Sequence, residues 1–415
     1  MPDRTADVII VGSGGRPYRE YAFQALAERY RLSALLPAEP TWQRPYLTEW
    51  RVADLGDESA VVAALTELTG PGTGLLTWDE TALEMTARAA EKLSLRHMSA
   101  RAVAHCRDKY QARTLLDAAG LPTVRHGLAH SVEEAERIAE TIGYPVVVKP
   151  RALAGSVGVV LAADAEELRA GFALAGAAAF STLPTGHGVL VEEYLRGPEI
   201  SVDSVVRDGK VTCVHVARKR LGFEPHFEEV GHLVTAWSRE PWAQPVRDLT
   251  VAAHRALGVE LGVTHAEIRL TASGPRLVEL NARLGGDLIP YAGRLATGID
   301  LVVAAAELAL GRIPDLAPQH DRCAEVRFHY PPYDGTVRRV EVARAASADG
   351  IAYAAAIAGP GTTLRLPPRQ AIPRLAVLVA TGADEAACGR TLDAAGPLVV
   401  AEVAPLTGAA ADAAE

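Results

Sequence analysis

Two extended segments, Val263–Leu270 and Leu277–Asn281, constrain this chain more than any other feature. Residues alternate sides along a strand. With Thr271–Pro275 read as a five-residue loop, Leu270 faces Arg276, Glu267 faces Glu279 and His265 faces Asn281. Ala266, Ile268, Leu270, Val278 and Leu280 then share one apolar face, which predicts an antiparallel hairpin lying on a core. The other face gathers two carboxylates, an amide and an imidazole. Like charges directly across two strands repel, so Glu267 and Glu279 together want a cation between them. Hard oxygen ligands of this kind suit Mg²⁺ better than zinc. Arg283 and Gly285-Gly286 follow at once, and a fixed guanidinium beside a metal pair is what a transferring phosphoryl group needs. The alternative is a solvated polar face with splayed glutamates.

The first hundred residues alternate strand and helix signals: Val8–Val11, then Glu20–Tyr30, then a strand ending in Gly74–Thr77, then Thr81–Leu93. This order predicts an α/β unit with a parallel sheet flanked by helices. Gly12, Gly14 and Gly15 follow the first strand, but Arg16 and Pro17 break the dinucleotide fingerprint, so a tight strand-to-helix turn is expected. A contact on the substrate side is the alternative. Further helices are predicted over Arg107–Ala119, with Tyr110, Leu115, Leu116 and Ala119 as its apolar positions, and over Asp164–Ala173 and Leu301–Leu310. Another should follow the Ser131/Glu134 capping box, with Ala135, Ile138, Ala139 and Ile142 inward. Ile200–Val206 and Val211–Val216 flank Asp208-Gly209, a hairpin signal. A smaller module rich in β-type residues follows Pro314, and the low-complexity tail is expected to fray.

Two more segments carry chemistry. In VVVKPRALAGSVGVV, Lys149 ends an apolar strand just before Gly155-Ser156-Val157-Gly158. Small residues let backbone N–H groups approach phosphate oxygens, and a lysine adds a point charge; a plain strand–turn–strand connection reads equally well. In VLVEEYLRGPEISVD, a strand leads into Glu192-Glu193-Tyr194-Leu195 and then Glu199. Extended backbone there can read a nucleobase, and a later carboxylate can take ribose hydroxyls. A strand with an acidic bend is the alternative.

The balance of 42 Lys and Arg against 51 Asp and Glu, net −9, with no basic run, argues against nucleic-acid or anionic-membrane surfaces. No stretch approaches the ~20 apolar residues of a membrane span, and the N-terminus reads as a first strand, not a signal peptide. Cys106, Cys213, Cys323 and Cys388 lie far apart, so neither a disulfide framework nor a structural zinc is expected, and a reducing cytoplasm fits. The length of 415 residues predicts about two to three domains.

The order of these pieces resembles the ATP-grasp superfamily of carboxylate–amine ligases, and within it most looks like the bacterial L-amino-acid ligases that make dipeptides. The similarity is strong over residues 100–310 and looser on either side. It implies a pre-ATP-grasp Rossmann-like domain over 1–98 and an ATP-grasp domain over 99–315 with an α+β lid at about 121–191. A small α+β module over 316–405 and a flexible tail over 406–415 complete it. By the same resemblance, Lys109 and Lys149 bind the nucleotide and Gly155, Ser156 and Gly158 form the mobile phosphate loop. Glu192, Glu193 and Leu195 lie at the adenine hinge, and Glu199 takes the ribose. Glu267, Glu279 and Asn281 hold Mg²⁺ (two ions, with Mn²⁺ a substitute). Arg283 and Lys149 are catalytic, Arg283 steadying the acyl phosphate, and Glu229 and His232 face the amino-acid site. The implied activity is ATP-dependent joining of a small carboxylate to a small amine through an acyl phosphate, releasing ADP, in a cytoplasmic enzyme whose relatives are often dimers. The alternative within the fold is a biotin-carboxylase-like enzyme. Where a dipeptide ligase of the family carries bulky aromatics after the arginine, this chain has Leu284-Gly285-Gly286-Asp287, which implies a wider pocket or a different acceptor.

Overall fold

The computed structural model describes residues 6–179, 181–183, 185–235, 237 and 240–406. The expected flexible tail therefore lies outside the described residues from 407 on.

The N-terminal part forms a four-stranded parallel sheet in the order Glu49–Val52, Arg31–Leu36, Asp7–Val11, Gly74–Leu76. Val8–Val11 is buried on both faces, which is why the run is continuously apolar. The first helix spans Arg16–Ala27 instead of Glu20–Tyr30, because Pro17 in its first turn fits the fixed φ needed there. The glycine turn before it brings Gly12 against Asp79, whose Oδ2 would lie 2.7 Å from any added Cβ. It is a close-packed turn.

An eight-stranded antiparallel sheet forms the centre. Its order is Gly274–Asn281, Leu261–Thr271, Glu199–Arg207, Lys210–Gly222, Glu228–Val234, Cys323–His329, Ala376–Gly382, Ile351–Ala356. Asp208 and Gly209, both at positive φ, make the expected tight hairpin. Strands from the C-terminal region extend this sheet, while Gly335–Glu341, Thr363–Leu364 and Val400–Pro405 form a small sheet of their own.

The acidic hairpin departs from the expected loop. Its turn is only Ala272-Ser273, since Thr271 pairs with Gly274. Leu270 therefore faces Pro275, not Arg276. A bulge between Glu267 and Ile268 then absorbs one residue and restores Glu267 opposite Glu279 and His265 opposite Asn281. The bulge also exchanges two neighbours: Leu277 enters the core, and Val278, expected there, lines the cavity.

The helix expected over Arg107–Ala119 runs over Lys109–Ala118, and a separate helix, Ala100–Arg107, precedes it. Asp108 breaks them. Its extended backbone lets its carboxylate cap the second helix at Gln111 N–H (3.0 Å) while accepting from Arg151 (2.8 Å). The buried positions are Lys109, Ala112, Arg113 and Leu116, so the inner face carries two cations.

Residues 126–193 contain a second antiparallel sheet, ordered His126–Ala129, Val189–Glu193, Val146–Pro150, Val160–Ala162. Helices Val132–Ile142 and Ala165–Ala177 pack on Val146, Val148, Val189 and Val191. Alternation then turns Val147, Lys149 and Glu192 to the opposite face, toward the central sheet. Among the described residues no helix is long and apolar enough to cross a membrane.

Candidate active site

The two antiparallel sheets enclose a cavity of about 200 Å³, open to solvent at its mouth. Of the residues singled out above, Lys109, Lys149, Gly155, Ser156, Glu192, Glu193, Leu195, Glu199, Glu229, Glu267, Glu279, Asn281 and Arg283 line it. Gly158 and His232 do not. Gly158, at φ +72°, packs where a Cβ would lie 2.7 Å from the Ala178 Cβ, so the loop needs glycine there to seat on the helix. His232 is fully buried behind the wall.

On the side of the second sheet, the Glu192 carboxylate is shared by Arg113 (2.7 Å) and Lys149 (2.6 Å), all three buried. Burial pushes the Lys149 ammonium down, against the pull of Glu192. Arg113 also donates to the Val278 carbonyl (2.7 Å), tying the second sheet to the acidic hairpin. Glu193 accepts from the Arg125 guanidinium (2.9 Å), and Tyr194 and Leu195 follow along the wall.

On the floor, Glu279 meets Lys109 at 3.1 Å, and Lys109 also donates to the Leu153 carbonyl (2.7 Å) beside the glycine loop. Glu267 meets Lys219 at 2.9 Å. Lys219 also contacts Glu199 (2.9 Å) and Glu229 (2.8 Å), with its side chain 1% exposed. Burial alone would push this ammonium down; the three carboxylates hold it well above its ordinary value. Glu199 is bound further by Arg269 (2.7 Å). His265 Nδ1 lies 2.6 Å from the Asp203 carboxylate, its ring covered by Gly285, where a Cβ would come within 2.8 Å.

Arg283 reaches the cavity wall with its guanidinium bonded to Glu80, from the loop after the last strand of the first sheet. Glu80 also takes Arg107. Burial would raise the Glu80 carboxyl, but Arg283 and Arg107 hold it below its usual range.

At the far end, Asp287 and Leu288 both adopt positive φ (52° and 63°), an uncommon pair for non-glycine residues. The turn aims the Asp287 carboxylate at Arg374, which binds it through two 2.7 Å contacts and lies 3.6 Å from the Phe328 ring centroid. His232 Nε2 sits 3.2 Å from Asp287 and 3.3 Å from Glu229. Burial would raise the Asp287 carboxyl; Arg374 and His232 hold it far below its ordinary value. Glu229, His232 and Asp287 offer ligand atoms within 4.8 Å of one another, but Arg374 already neutralises Asp287.

The sequence reading missed Arg113, Lys219, Arg374 and Glu80. Arg113 was legible in part, since Lys109 and Arg113 stand one helical turn apart with Ala112 and Leu116. Lys219 lies past the expected end of its strand, which runs on to Gly222.

The residues fit a divalent cation with a phosphate tail. Glu267, Glu279 and Asn281 are an all-oxygen set of the kind hard cations prefer, and Lys109, Lys149 and Arg283 supply the positive charge an anionic tail needs.

Residues 142–291 match the model of the ATP-grasp domain. Alanine–anticapsin ligase of Bacillus subtilis is 26% identical over 252 residues, covering 55% of this chain and 52% of that protein. The chain spans about half the length of the curated relatives it matches. The structure of an L-amino acid ligase from Bacillus licheniformis superposes with a TM-score of 0.82 at 21% identity, over 97% of this chain and all of that one. The biotin carboxylase domain of the Hydrogenobacter thermophilus 2-oxoglutarate carboxylase, solved with MgADP and bicarbonate, superposes at 0.75 and 18% identity, over 96% of this chain and 91% of that one.

Proposed function

From the ATP-grasp domain that this chain carries in an ATP-grasp fold, we propose that it is an ATP-dependent ligase, activating a small carboxylate as an acyl phosphate and joining it to an amine. The observation that carries this reading is the facing pair Glu267–Glu279, in one cavity with Lys109, Lys149 and Arg283.

The roles divide along the walls. Glu193 and Leu195 bind the adenine edge, and Glu199 takes the ribose. Lys109, Lys149 and the amides of Gly155 and Ser156 hold the phosphates. Glu192 acts through Lys149, which it fixes in place. Glu267, Glu279 and Asn281 would hold Mg²⁺, which would supply charge neutralisation of the phosphates. A substrate carboxylate oxygen attacks the γ-phosphorus, and the bond to the β-phosphate oxygen breaks, leaving ADP. An amine nitrogen then attacks the acyl carbon, phosphate departs, and the nitrogen loses a proton. Arg283 stabilises charge building on the transferring phosphoryl group and on the acyl oxygen. Closure of the module over about 121–191 would exclude water from the acyl phosphate. Glu229 and His232, with Asp287 and Arg374 behind them, shape the amino-acid end.

The testing experiment pairs amino acids and other carboxylates with hydroxylamine. A hydroxamate with release of ADP and phosphate supports the reading; AMP and pyrophosphate defeat it. The likeness to a biotin carboxylase domain favours a second reading, a bicarbonate-using carboxylase. Amines should stimulate ADP release from a ligase and leave a carboxylase indifferent.

A further inference from the structure

Lys219 ends in an ammonium with three N–H donors, and three carboxylates take them. Glu199 comes from the strand Glu199–Arg207, Glu229 from Glu228–Val234 and Glu267 from Leu261–Thr271. Each belongs to a different part of the cavity: ribose side, amino-acid side and ion side. Their remaining oxygens are unequal. Glu199 spends its second on Arg269 (2.7 Å), and Glu229 has His232 Nε2 3.3 Å from its own. Glu267 Oε1 has His265 Nε2 at 3.9 Å, beyond hydrogen-bond reach.

Three carboxylate oxygens converging on one buried point are also what a divalent cation takes from a protein. The position is filled here by a tethered, non-exchangeable cation. We propose that Lys219 is a positioning residue that keeps Glu229 out of the coordination of the nucleotide-bound ion, reserving Glu229 for the amino-acid substrate and leaving Glu267 a single oxygen for the ion. Without the ammonium, Glu199, Glu229 and Glu267 would face one another with Arg269, His232 and His265 beside them. A divalent ion would then enter between Glu229 and Glu267 and join the two subsites that the lysine separates.

This rests on the reading of Glu267 as an ion ligand, and its test runs without turnover. Mn²⁺ is titrated by electron paramagnetic resonance into the full chain, free of nucleotide, as wild type, Lys219→Met, Lys219→Arg and the double variant Lys219→Met/Glu229→Gln. Lys219→Met is expected to bind Mn²⁺ tighter than wild type by on the order of tenfold or more, since one positive charge leaves a low-dielectric acidic cluster. Lys219→Arg should stay near wild type, and the double variant should lose the gain. Thermal melting followed by circular dichroism checks the fold, and Lys219→Gln, expected to show the same gain, replaces Lys219→Met if that variant does not fold. Equal Mn²⁺ affinity in wild type and the neutral variant overturns the proposal, as does a double variant that keeps the full gain. Absence of any hydroxamate would defeat the ligase reading while leaving the Mn²⁺ comparison intact.

Discussion

Glu80 and Arg283, 203 residues apart in sequence, form a buried ion pair that joins the first sheet to the wall of the cavity. The guanidinium also donates to the Leu284 carbonyl (2.8 Å), so its plane is held from two sides. Such preorganisation is what a group meeting transition-state charge requires.

Replacing Arg283 with Ala should lower kcat by about 10²–10³, as the loss of one transition-state donor commonly does. Binding of a non-hydrolysable ATP analogue should change little. Glu80→Gln leaves the arginine in place with a weaker anchor, so its kcat should lie between wild type and Arg283→Ala. Steady-state kinetics of both variants beside analogue titration decide this; normal kcat in Arg283→Ala would remove the residue from the chemistry.

Chelation of divalent ions should stop ADP release, and added Mg²⁺ should restore it. Glu279→Gln keeps the contact to Lys109 but removes a charge from the ion site. The Mg²⁺ concentration for half-maximal rate should rise by about tenfold or more, in line with losing one charged ligand. A Mg²⁺ curve that superposes on wild type would show that the carboxylate is not a ligand.

Acid should weaken the seating of the second sheet through Glu192. Burial would raise this carboxyl, but Arg113 and Lys149 hold it at about 2, against 4.5 ordinarily. Its native value is depressed, so its contribution is complete above the unfolded value and is lost as pH falls from about 4.5 to about 2. Glu192→Gln should flatten that part of the stability curve. At neutral pH the variant should lose roughly 3–5 kcal/mol, because two cations stay buried without their anion. Urea unfolding across pH 2–7 measures both effects.

A second acid effect lies closer to neutrality. Burial pushes the His215 and His254 imidazoles from 6.5 to about 4. His254 is held neutral between the Thr250 carbonyl and the Thr264 hydroxyl, each at 2.7 Å. The unfolded chain protonates these rings first, so stability should fall as pH drops from about 6.5 to about 4, by on the order of 3 kcal/mol per ring. His254→Gln should remove its share of the slope, seen by comparing unfolding midpoints at pH 7 and pH 5. An unchanged slope would place the effect elsewhere.

The hairpin shows what local pattern conveys and where it stops. Alternation along Val263–Leu270 identified the acidic face because strand geometry repeats every two residues whatever surrounds it. The same rule misplaced Val278 and Leu277, because a bulge is one extra residue with no mark in the alternation. The helix after Arg107 formed as expected and buries Leu116, but apolar periodicity also pointed to Tyr110 and Leu115, while the buried face carries Lys109 and Arg113. Their burial is tolerated only because Glu279 and Glu192 arrive from other elements.

The amino-acid order by itself determined the α/β class, the strand that delivers Lys149, the acid pair at Glu267 and Glu279, and the arginine beside them. Each follows from spacing within a few residues. Tertiary structure alone decided which charges neutralise which: Glu80 with Arg283, Arg374 with Asp287, and Lys219 with three glutamates. A buried charge is stable only beside a partner, and these partners come from strands and loops that only folding brings within 3 Å.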